Sequence, residues 1–141
     1  MRSSGSSTGP RETMPSVVSV RYIVDDVDAA IAFYTEQLGF EVVMHPAPPF
    51  AMLDRGELRL LLSAPSGQAG GGQAMPDGRV PEPGGWNRFE IVVDDIEGEV
   101  RRLTDAGVTF RNEIVDGVGG KQVLIEDPAG NPIELFQPYD G

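Results

Sequence analysis

The chain states one local pattern twice. Val24-Asp25-Asp26-Val27 closes an extended apolar run and opens a helical pattern, and Val93-Asp94-Asp95-Ile96 does the same sixty-nine residues later. Solenoid repeats recur at roughly 20 to 50 residues, so a longer period marks two half-domains rather than a stacked array. Two such halves set side by side leave a cleft between them. The matched strand positions are therefore the first place to look for chemistry.

Each half runs in the same order, strand, helix, strand, strand, strand. In the first, residues 16–64, a strand over Val17 to Val24 leads to a helix capped by Asp25 or Asp26, with Val27, Ala30, Ile31, Tyr34 and Leu38 at helical spacing. Gly39 stops that helix. Strands follow at Phe40 to Met44, Phe50 to Asp54 and Glu57 to Ser63, separated by the loop His45-Pro46-Ala47-Pro48-Pro49 and the turn Arg55-Gly56. Residues 65–85 are rich in Gly, Pro, Ser and Gln with no period, a linker long enough to serve as a lid or binding loop. The second half, residues 86–138, restarts with a strand at Asn87 to Val93. A cap at Asp94 or Asp95 then opens a helix through Ile96, Val100 and Leu103 to Gly107. Strands at Val108 to Asn112, Lys121 to Glu126 and Pro132 to Gln137 complete it.

A length of 141 residues suits one domain, expected over residues 15–141. The Ser/Gly-rich stretch 1–14 reads as a disordered tail with Met14 as a candidate start, not as a signal peptide. Cysteine is absent, which excludes disulfides and thiolate metal sites and makes a cytoplasmic location the default. No apolar run approaches the roughly 20 residues of a membrane span. With 22 acidic against 11 basic residues, the net charge of -11 repels phosphate backbones and argues against nucleic acid. All the basic residues but Lys121 are arginine, a side chain suited to bidentate anion binding.

Alternation along each strand assigns one face to the helix and the other to the open side. Phe89, Ile91 and Val93 meet the helix, leaving Arg88, Glu90 and Val92 open; Glu134 and Phe136 are open on the last strand. In the first half the open positions are Ser19, Arg21 and Ile23, then Arg59, Leu61 and Ser63.

Val24-Asp25-Asp26-Val27 through Phe33-Tyr34 to Leu38-Gly39-Phe40, and Glu126-Asp127-Pro128-Ala129-Gly130-Asn131-Pro132-Ile133-Glu134-Leu135, resemble the vicinal oxygen chelate superfamily. That family includes glyoxalase I, bleomycin-resistance proteins and extradiol dioxygenases, and the resemblance spans about Val17 to Pro138. It implies an α+β fold of two βαβββ modules forming a cup-shaped curved mixed sheet, helices outside and ligand inside. Family metalloenzymes hold a divalent ion with one side chain on the first and one on the fourth strand of each module. Those positions are Ser19, Leu61, Arg88 and Glu134 here, and only Glu134 is a ligand type. The resemblance therefore implies a lost metal site and no cofactor. It also implies a homodimer whose clefts are completed at the interface.

The candidate ligand-binding residues are Arg21, Arg59, Arg88, Glu90, Glu134, Phe50, Trp86 and Phe136. Glu134 admits three readings: a remnant metal ligand, the partner of Arg88, or a solvated carboxylate. The three arginines either gather in one concavity for an anionic ligand or pair locally with Glu90, Glu41 or Asp54. Trp86 either packs at a strand mouth or stacks on a ligand. His45, the one histidine, is expected in a loop away from every family ligand position, and the Asp25-Asp26 and Asp94-Asp95 pairs are explained by helix capping. The leading expectation is a metal-free protein that binds a small molecule such as an antibiotic or anionic metabolite. The rivals are a metal-dependent glyoxalase-like lyase or isomerase, or a dioxygenase, and a dimeric accessory domain with no ligand.

Overall fold

The computed structural model describes residues 18–65 and 71–140, so the expected tail at 1–14 and part of the linker lie outside the described residues. The first module is β1 (Val18–Ile23), α1 (Val27–Leu38), β2 (Glu41–Ala47), β3 (Phe50–Arg55) and β4 (Leu58–Ser63). The second is β5 (Phe89–Val92), α2 (Ile96–Asp105), β6 (Thr109–Phe110), β7 (Val115–Asp116), β8 (Gly120–Glu126) and β9 (Pro132–Pro138). The fold is α+β, with a four-stranded sheet ordered β1-β4-β3-β2 and a second ordered β5-β9-β8-β6, to which β7 adds by pairing with β8. In both, the first and last strands run parallel and the rest antiparallel, so each sheet is mixed.

The second aspartate of each pair is the helix cap, one of the two positions the spacing offered. The Asp26 side chain accepts from the Ala29 N–H at 3.0 Å and Asp95 accepts from Gly98 N–H at 3.1 Å, each satisfying a first-turn donor that the helix leaves open. Gly39 ends α1 with φ +73, a left-handed conformation that favours glycine.

Two local readings need correction. His45 is not in a loop: β2 runs on to Ala47, and the ring stands 4.0 Å from Asp28 on α1. Register shifts after Val42 and Met44 bend this outer strand past Pro46, a device that blunts a sheet edge. The strand expected over Val108 to Asn112 stops at Phe110, and an unexpected short strand, β7, follows. The break arises because the Asn112 side-chain oxygen accepts from the Leu124 N–H at 2.9 Å, taking the role of a backbone carbonyl.

The helix-bearing sides of both modules share one hydrophobic core. At its centre Phe89 of β5 meets Tyr22 of β1, Phe40 between α1 and β2, and Tyr34 of α1, with ring centroids 5.4, 6.0 and 6.5 Å apart. Buried polar groups tie the modules beside it. Tyr34 Oη donates to Asp127 Oδ2 at 2.8 Å, Tyr22 Oη to the Pro132 carbonyl at 2.6 Å, and Asn131 Nδ2 to the Ile23 carbonyl at 2.8 Å. No helix among the described residues is long and apolar enough to cross a membrane.

Candidate functional site

On the module-two sheet, the parallel register sets Glu90 directly beside Glu134, with Val92 beside Phe136 one step along. Arg88, just before β5, reaches onto Glu134: Nε and Nη2 both lie 3.0 Å from Oε1, and Nη1 donates to the Trp86 carbonyl at 3.2 Å. The two side chains are 29% and 15% exposed, so the pair is partly shielded from water. Glu90 stands in this group as a third member. Its hydrogen bond to Glu134 raises its pKa above the ordinary carboxylate value; burial and the Glu134 charge push the same way, and Arg88 opposes them.

Trp86 stacks on an arginine that the sequence reading passed over. The Arg111 guanidinium lies 4.6 Å from the Trp86 ring centroid while binding Glu126 at 2.8 Å, the Gly85 carbonyl at 2.7 Å and the Gly130 carbonyl at 2.9 Å. Arg111 thus pins the end of the linker to the turn before β9. Trp86 itself stays 69% exposed, with its backbone held from both sides. Phe136 lies against the backbone of the β7–β8 hairpin, where a Cβ at Gly120 would fall 2.8 Å from its ring.

Each of the three arginines has a partner of its own. Arg59 forms a two-point pair with Asp54 at 2.9 and 3.1 Å, and Arg88 pairs with Glu134. Arg21 has neither kind of partner: its Nε donates to Ser63 Oγ at 3.2 Å, and among the described residues it pairs with no acid. Among the described residues no hydrogen bond or ion pair joins Arg21 or Arg59 to the Arg88 group. Ser63, expected on the open face, is fully buried beneath this contact. Phe50 begins β3 half-buried, opposite Ser63. Tyr34, at helical spacing on α1, is core.

Asp127 enters the sequence analysis only within the stretch Glu126 to Leu135, with no role of its own. It is 4% exposed, and Oδ1 accepts from the Ala129 and Asn131 N–H groups while Oδ2 accepts from Tyr34 and Asn131. Burial raises its pKa, against the opposing pull of those donors. Two grooves of about 290 and 440 Å³ lie where α1 meets module two, and no candidate residue lines either.

As a donor set, Ser19, Leu61, Arg88 and Glu134 do not fit a divalent ion. One carboxylate among them is engaged by a guanidinium, whose fixed positive charge opposes a cation in the same place. Among the described residues no three His, Cys, Asp or Glu side chains cluster so as to hold an ion.

The chain is similar along most of its length to several solved structures. A glyoxalase/bleomycin resistance protein/dioxygenase superfamily member from Sphaerobacter thermophilus is 29% identical, with TM-score 0.69 over 88% of this chain and 98% of that one. A lactoylglutathione lyase from Agrobacterium tumefaciens is 24% identical, TM-score 0.66, over 89% and 95%. An antibiotic binding protein from a Streptomyces species is also 24% identical, TM-score 0.66, over 90% and 98%. Among curated proteins none matches at a significant level. The sequence model described as Glyoxalase/Bleomycin resistance protein/Dioxygenase superfamily matches residues 16–135, and the chain belongs to that superfamily.

Proposed function

We propose that this protein is a metal-free member of its superfamily that binds and sequesters a small molecule, an antibiotic or an anionic metabolite, on the open faces of its sheets. The observation that carries this reading is the closure of Arg88 on Glu134: the one ligand-type side chain at the family positions is already neutralised by a guanidinium. The likeness to an antibiotic binding protein is in keeping with it, although at 24% identity that likeness speaks to the fold. We place the protein in the cytoplasm as a homodimer, with neither nucleic acid nor membrane as partner.

The competing activity is that of a metal-dependent lyase, isomerase or dioxygenase using Glu134. Metal analysis of protein purified without chelator, with thermal shift on adding nickel, zinc, manganese or iron(II), separates the two. The sequestration reading expects substoichiometric metal and no metal-induced stabilisation. One bound ion per chain, or a stabilisation that Glu134→Ala abolishes, overturns it.

A further inference from the structure

We propose that Arg21 heads a binding row on the module-one sheet that takes a monoanion with a flat apolar body, the chemistry of an aromatic carboxylate. This names the ligand class and rests on the small-molecule binding reading.

Strand register builds the row. Arg21 on β1 stands opposite Leu61 on β4, Leu61 opposite Met52 on β3, and Met52 opposite Met44 on β2. Residues directly opposite share a face, and neighbouring strands lie about 4.8 Å apart, so the row runs about 14 Å from the guanidinium-bearing strand to the sheet edge. Leu61 and Met52 are half-buried and Met44 is 46% exposed, an apolar strip still open to a ligand. Phe50 widens it on the same face of β3. Unbranched, polarisable methionine side chains adapt to flat rings of varied outline.

Charge selects the occupant. The neighbouring row carries Ser19, Arg59, Asp54 and Glu41, and Arg59 is consumed there by Asp54. Arg21 is the arginine of this face that pairs with no acid among the described residues, in a chain of net charge -11 where acids are plentiful. Its orientation is set. Ser63 holds Nε, and the backbone of Gly71 lies on the guanidinium so closely that a Cβ there would fall 2.4 Å from Cζ. Residue 71 takes φ +88, which glycine adopts freely. The head of the row therefore offers one oriented cation beside the backbone of Gly71, and its remaining N–H groups suit one carboxylate. A second negative charge on the ligand would approach Asp54 and Glu41 or lie on the apolar strip, and either is unfavourable.

Calorimetric titration with 2-naphthoate, its neutral analogue 2-naphthalenemethanol and naphthalene-2,6-dicarboxylate tests this. We expect the monoacid to bind, the alcohol to bind at least about tenfold more weakly, and the diacid to bind more weakly than the monoacid. Arg21→Gln should bring the monoacid down to the level of the alcohol, and Arg21→Lys should retain part of the difference; melting curves establish that both variants fold, and the probe series on the unaltered protein stands without them. Equal binding of acid and alcohol, or no binding of the acid at about 1 mM, overturns the inference. Such a result leaves the sequestration reading intact, which falls instead if the same sample carries one metal ion per chain. Met52→Glu should weaken naphthoate binding and leave the oligomeric state unchanged. If it dissociates an oligomer, the face is covered by a second copy of the chain and the inference falls.

Discussion

Arg88 and Glu134 close on each other with Nε and Nη2 both 3.0 Å from one carboxylate oxygen. They come from opposite ends of module two in sequence, yet the parallel pairing of β5 with β9 sets Glu90 beside Glu134 and so brings Arg88, two residues earlier, within reach of it. An ion pair here fills space and cancels the charge of both side chains.

If that pair is a unit, its members should not act independently. Arg88→Ala and Glu134→Ala should each destabilise the fold modestly, and the double variant should cost no more than either alone, with a coupling of about 1 kcal/mol for so partly shielded a pair. Urea unfolding of the four proteins in the cycle measures this. Strict additivity would show that the two side chains are merely close.

Glu90 supplies a pH signature. Its folded pKa is raised, so its contribution to stability is full below the unfolded value and is lost as pH rises through the folded value. Glu90→Gln keeps a neutral hydrogen-bonding side chain beside Glu134 and removes that loss. The variant should therefore match the unaltered protein at pH 4 and below and melt slightly higher at pH 7. Thermal melts across this range check it; an equal offset at every pH would contradict the raised Glu90 pKa.

Tyr34 and Asp127 latch the modules together from positions 93 residues apart. Tyr34→Phe removes one donor to a buried carboxylate and should cost about 1.5 to 3 kcal/mol. Asp127→Ala strands the Tyr34 hydroxyl, the Asn131 amide and two backbone N–H groups, and should cost at least about 3 kcal/mol. Denaturant midpoints measure both, and hydrogen exchange should show the loss at the seam between modules before it reaches the sheet interiors.

Arg111 should prove structural. Its guanidinium serves Glu126, two backbone carbonyls and the Trp86 face together, a set that a lysine cannot reproduce. Arg111→Lys should lose most of what Arg111→Ala loses, about 2 kcal/mol or more, and both should shift Trp86 fluorescence toward a more mobile, hydrated ring. Unchanged tryptophan emission would mean that Arg111 does not hold that ring.

Much of the framework was legible because its determinants are local. Val24 and Val93 worked as a ruler for the two modules, Asp26 and Asp95 declared the helix starts, and alternation put Arg21, Glu90 and Glu134 on open faces. The pairing of Arg59 with Asp54 was one of two readings, and choosing needed the β3–β4 register. The extension of β2 through His45 and the break between β6 and β7 escaped because proline and asparagine patterns suggest loops and plain strands, whereas long-range bonds decided both.

The sequence alone determined two modules that each open strand–helix, and which residues face away from the helices, since helical and strand periods are properties of neighbouring residues. Only the tertiary structure decided partners. It gave Arg88 to Glu134, Arg59 to Asp54 and Trp86 to Arg111, and left Arg21 with a hydroxyl under the backbone of Gly71. A guanidinium bonds whichever acceptor the fold brings within about 3 Å, and that proximity depends on strand register and module packing.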